Sequence, residues 1–171
     1  TLTGTAWNSS VDPIYAPAFD LDGNSGSFSD AEKQRIQYIW QRVAEDYAPF
    51  DVDVTTEPPG YDQLHRTDSS DPVFGTTVLI TTMASAYPNC NCGGVAYVGA
   101  FNDTTDTYKP ALVFYDMLLS GDEKDVAEAI SHEAGHNMGL HHDGTSTTGY
   151  YGGKTIDSTT GGQFGMEDGN V

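Results

Sequence analysis

The chain has 171 residues, one domain's worth and long enough to bury a real core. Hydrophobic residues are 37% and charged residues 19%, and no run of about 18 apolar residues occurs, which excludes a helical membrane span. Twenty-five acids against seven bases give a net charge of −18, which repels nucleic acid and anionic membrane surfaces and suits a salty or extracellular medium.

In chain order, residues 1–19 are polar and turn-rich, with Pro13 and Pro17. Leu2, Thr5 and Trp7 make only a poor extended pattern, and there is no basic-then-apolar start. Any signal peptide is therefore expected to have been removed or not included. Asp20-Leu21-Asp22-Gly23-Asn24 offers oxygens at alternate positions, as a calcium loop does. Ser25 stands where an EF-hand needs Gly, and Ala31 where it needs Glu. A solvated turn is the better reading, and Ca2+ is only a secondary candidate cofactor.

Ser29 with Glu32 reads as a capping box. Ile36, Ile39, Trp40, Val43, Ala44 and Tyr47 recur at helical spacing, which predicts an amphipathic helix over 29–48, stopped by Pro49. Residues 51–56 alternate as a strand, closed by Pro58-Pro59-Gly60. Residues 60–72 read as a polar loop, with His65 a surface residue rather than a ligand. Residues 76–82 are strongly β-branched and predict a buried strand.

Residues 84–94 read as a loop around Cys90 and Cys92. A Cys-x-Cys pair is a small disulfide, half a metal site or two thiols. No further zinc ligands lie close by, and an extracellular setting favours a disulfide with structural meaning only. Residues 94–99 predict a short strand flanked by Gly, and 102–109 a polar loop. Residues 111–115 are continuously apolar, so this strand should be central. Gly121 and Asp122 introduce a helix of roughly 123–138, on which Val126, Ile130 and Ala134 are spaced to face the sheet.

That last helix carries the chemistry. His132 and His136 are four apart and project from one face, where two imidazoles can share a metal ion. Glu133 lies at the edge of that face, able to reach a water without being a ligand. It falls between the histidine face and the core face, a half-buried position that suits a general base. Gly139 can stop the helix in a left-handed conformation and let the chain turn back. His142 can then supply a third nitrogen. His141 competes by proximity, but the spacing from Gly139 favours His142. Three protein ligands and one open position is the arrangement of a catalytic zinc site.

The run His-Glu-x-x-His-x-x-Gly-x-x-His, followed by Asp143, resembles the metzincin zinc endopeptidases, and their adamalysin or reprolysin branch in particular. The resemblance implies a mixed α/β (α+β) zincin-like fold: a twisted, mixed and mostly parallel sheet, an active-site helix and a short C-terminal lobe. Residues 1–171 then form one metallopeptidase catalytic domain, with a sheet-and-helix lobe of about 1–139 and a C-terminal lobe of about 140–171. Metzincins begin with a central strand, and none is visible before the first predicted helix, so the chain is expected to begin after it. Residues 94–99 resemble the family's edge strand, along which substrate lies. Met166 is the candidate for the methionine turn beneath the zinc, and the helix that follows such a turn is not visible in the Gly-, Thr- and Ser-rich tail. Tyr150 or Tyr151 is a candidate to stabilise an oxyanion.

The expected function is a secreted, zinc-dependent endopeptidase. It would hydrolyse a protein or peptide substrate by a metal-activated water, with Glu133 as base and His132, His136 and His142 on Zn2+. The alternative is a non-catalytic zinc-binding module, and a third reading is a calcium-dependent acidic binding protein.

Overall fold

Ser29 starts the longest helix, α1 (Asp30–Asp46). Its hydroxyl accepts from the Glu32 amide at 3.3 Å, and the Glu32 carboxylate accepts from the Ser29 amide at 2.7 Å. This reciprocal box satisfies two amides that a helix start leaves unpaired. Glu32 also accepts from the Leu21 amide at 2.7 Å. The amides of Leu21 and Ser29 hold its carboxyl below the usual range. Ile39 and Val43 are buried, and Ile36 and Tyr47 pack beside them. Trp40 departs from the expected core face. It stays 37% exposed, and its indole N–H donates to the Val54 carbonyl at 2.6 Å.

A computed structural model describes residues 1–9, 11–88 and 90–142. The strand predicted at 51–56 does not form. Val54 packs on the core while its carbonyl is taken by Trp40, and the Thr55 hydroxyl accepts from the Glu57 amide at 3.0 Å. Side-chain bonds of this kind stand in for a ladder. The predicted loop at 60–72 contains one helical turn, α2 (Tyr61–Leu64). His65 follows it, half-buried, stacked on Tyr61 and with Nδ1 3.0 Å from an Asp106 oxygen.

The sheet comprises β1 (Val78–Thr81), β2 (Gly94–Val95) and β3 (Ala111–Phe114), with a helical turn, α3 (Met83–Ala86), after β1. β3 is central, parallel to β1 and antiparallel to β2. The sheet is therefore evenly mixed rather than mostly parallel. All four β3 residues are fully buried, as a strand covered on both faces must be. Its side chains alternate between two clusters. Val113 joins Phe19, Ile39, Val43, Val126 and Ile130, while Leu112 and Phe114 join Trp7, Ile14 and Ala86. Residues 1–19, patternless in sequence, thus cover the second face. Leu2 bridges Ile14, and the Trp7 indole donates to the Pro110 carbonyl at 2.8 Å. A disulfide joins Cys90 and Cys92, and both pack against this second cluster.

The last described helix is α4 (Glu123–Asn137), capped by Asp122, whose carboxylate accepts from the Lys124 and Asp125 amides. Val126, Ile130 and Ala134 are buried. The chain divides into two units, Thr1–Leu140 and His141–Val171. Of the second, His141 and His142 are described. Asp143, Tyr150, Tyr151, Met166 and the expected tail of the C-terminal lobe lie outside the described residues.

Candidate metal centre

The last two turns of α4 bring two imidazoles together. The rings of His132 and His136 meet edge to face with centroids 4.5 Å apart. Asn137 ends the helix, and the chain folds back at Gly139, whose φ of +96° is a conformation that glycine adopts without a Cβ penalty. Gly139 N donates to the His136 carbonyl at 2.9 Å, and Leu140 N to the Gly135 carbonyl at 3.0 Å. The Leu140 side chain then lies on Gly135, where a Cβ would come within 3.3 Å of it. This sets the Leu140 carbonyl 2.8 Å from His136 Nδ1. A carbonyl only accepts, so Nδ1 carries the proton in this contact, and such a bond orients a metal-binding histidine. His132, His136 and His142 could hold a metal ion: each offers one ring nitrogen, and the three lie within 4.8 Å of one another.

Glu133 sits next to these rings and is 6% exposed. Its Oε2 is buried with no hydrogen-bond partner among the described residues. Burial pushes its carboxyl up to about 7. Three nitrogen donors beside an orphaned buried carboxylate oxygen fit zinc, which takes imidazole ligands and leaves work for a base that does not ligate.

One residue that the sequence did not single out holds the surroundings in place. Asn137 is fully buried. Its Oδ1 accepts from the Thr76 hydroxyl at 2.6 Å, and its Nδ2 donates to the Tyr97 carbonyl at 3.0 Å. The main chain continues this attachment. Gly99 N donates to the His136 carbonyl and Phe101 N to the Asn137 carbonyl, both at 2.8 Å. This is why β2 stops after two residues where the spacing predicts 94–99: the rest of the segment bonds to α4. The available signal was Asn137 at the 0, 3, 4, 7 spacing with Ile130, Glu133 and Ala134, a polar residue on a buried stripe. On the other side of α4, the Tyr47 hydroxyl donates to the Ser131 carbonyl at 2.9 Å, and the Ser131 hydroxyl to Asp46 at 2.6 Å. Burial pushes the Tyr47 phenol up to about 12, which keeps it a donor.

The remaining candidates are structural in these surroundings. Cys90 and Cys92 are joined to each other, so neither sulfur is a thiolate ligand. Asp20, Asp22 and Glu32 also bring oxygens within 4.8 Å of one another. Asp20 accepts from the Asp22 and Gly23 amides, Asp22 from Asn24, and Glu32 from Leu21 and Ser29. Those bonds build a solvated turn, and calcium is not supported.

Residues 60–143 match the metallo-peptidase family M12B, reprolysin-like. That segment is similar to the reprolysin-like metallopeptidases. No curated protein matches the chain. The reprolysin-like match runs from α2 through the whole sheet to α4 and His142, and α1 lies ahead of it. The mixed sheet with α1 and α4 packed on one face agrees with the zincin-like fold of that family. A reprolysin-like metallopeptidase implies zinc as the metal and proteins or peptides as substrates.

Proposed function

We propose that this chain is one catalytic domain of an extracellular, zinc-dependent endopeptidase. The observation that carries the reading is Glu133, next in the chain to His132: its buried Oε2 has no hydrogen-bond partner among the described residues, and His132, His136 and His142 could hold one ion. His132, His136 and His142 would hold zinc. When bound, zinc supplies a Lewis acid that polarises the scissile carbonyl and makes water more acidic. Glu133 takes the proton of the attacking water and returns it to the leaving amine. No covalent intermediate is needed, so the site requires no Ser or Cys nucleophile. The substrate would lie as an added strand along residues 95–98, through main-chain hydrogen bonds. Met166 would form an apolar floor beneath the metal ligands.

The test pairs two measurements, zinc per chain and cleavage of a broad peptide mixture. Glu133→Gln keeps the size of the side chain but cannot accept a proton. It should retain zinc and lose roughly 100- to 10,000-fold in hydrolysis. His132→Ala, His136→Ala and His142→Ala should each lose most of the zinc, and His141→Ala should not. A Glu133→Gln variant with parental turnover removes Glu133 from the mechanism. A zinc-loaded parent that cleaves nothing leaves the non-catalytic zinc module as the better account.

A further inference from the structure

We propose that Gly94 is a positioning residue for the general base: its missing side chain is the space in which the edge strand holds the Glu133 side chain. The inference rests on the endopeptidase reading above and on Glu133 as its base. Gly94 opens β2 and pairs with Val113 of the central strand. A Cβ at Gly94 would stand 2.7 Å from Glu133 Oε1, 2.8 Å from Glu133 Cγ and 2.9 Å from the Leu112 carbonyl. Gly94 is not among the glycines with positive φ, so its demand is for room and not for a special backbone conformation.

Neither wall of this contact can give way cheaply. The sheet side is fixed by the antiparallel pairing of Gly94 and Val95 with Val113 and Leu112. The helix side is fixed because the chain just beyond β2 is bonded to α4, through Asn137 to Tyr97 and through the His136 carbonyl to Gly99. The edge strand and α4 are thus tied together, and an added methyl must turn the Glu133 side chain out of its well while the Leu112 carbonyl, at 2.9 Å, gives only slightly. Interiors packed at this density pass such a displacement on rather than absorb it. A misplacement of about 1 Å in a reacting group costs on the order of 100-fold in rate. The metal ligands are untouched, and the outer edge of β2, where a peptide would add, keeps its main chain.

The experiment uses the full chain loaded with zinc and compares Gly94→Ala with the parent in zinc content, KM and kcat on one peptide substrate. Gly94→Ala should keep one zinc per chain, keep KM within about twofold and lose on the order of 100-fold in kcat. A merely structural role would lower the folded fraction and the zinc content together and leave kcat per bound zinc unchanged, and that result overturns the proposal. Should Gly94→Ala fail to fold, the pair Glu133→Ala and Gly94→Ala/Glu133→Ala decides by thermal melting. Recovery of folding in the double variant identifies the Glu133 side chain as the obstacle and supports the proposal. A double variant as unstable as Gly94→Ala places the clash at the Leu112 carbonyl and overturns it. A zinc-loaded parent without hydrolysis overturns the endopeptidase reading and this inference with it. A parent that cleaves, with Gly94→Ala cleaving at the same kcat, overturns this inference alone.

Discussion

Glu133 carries a cost in the metal-free protein that shows in its pH dependence. Its carboxyl sits at about 7 in the fold and at the ordinary 4.5 when exposed. The folded chain therefore binds the proton more tightly, and stability falls as pH rises from 4.5 through about 7. Above that window both states are ionised and the full penalty, roughly 3 kcal/mol, is in place. Glu133→Gln has no such penalty. With metal removed, parent and variant should melt together near pH 4, and the variant should melt higher by pH 8. A gap that stays constant across that range would mean the carboxyl is not desolvated. Asn137 makes the opposite kind of contribution, since its amide is buried and satisfied at both ends. Asn137→Ala leaves the Tyr97 carbonyl and the Thr76 hydroxyl without that partner, and should cost about 1–3 kcal/mol in urea denaturation.

Among the elements, α1 depends most on its first turn. Ser29→Ala removes the cap and should cost about 0.5–2 kcal/mol. Glu32 adds an acid limb. Its carboxyl is held low by the Leu21 and Ser29 amides, so its contribution is full above the ordinary 4.5 and fades as pH falls through the lower folded value. Glu32→Gln should flatten the parent's loss of stability in acid, read as melting temperature between pH 5 and pH 3. An unchanged acid limb would remove Glu32 as its source. Both long helices were legible in the sequence because each has a cap and an apolar stripe over many turns. The helical turns α2 and α3 have four residues each, too few for any period to register. The alternation at 51–56 was real, but Trp40 and Thr55 took the backbone groups that a ladder would have used. The histidines and Glu133 could be read because one helix and one turn carry them. Thr76, Gly94 and Asn137 act across separations such as 61 and 40 residues, and no local pattern encodes those meetings.

At the scale of the whole molecule, a net charge of −18 makes the chain repel itself. Moderate salt should raise its melting temperature by screening that repulsion. Zinc should raise it further at constant salt, since an ion bound only by the fold stabilises by about 2.7 kcal/mol at 100-fold over Kd. His136→Ala should abolish the zinc shift and keep the salt shift, and a zinc shift that survives it would point to surface acids. The fold also has a seam at the end of α4. The amides of Gly99 and Gly139 share one carbonyl, that of His136, and the amides of Phe101 and Leu140 bond to the carbonyls of Asn137 and Gly135 on either side. Loosening that last turn frees the edge segment and the turn at Gly139 together. In deuterated water these four amides should therefore exchange through one opening event with a common free energy, distinct from that of α1. Gly99 exchanging orders of magnitude faster than Gly139 would mean that the edge segment breathes independently of the helix that carries His132 and His136.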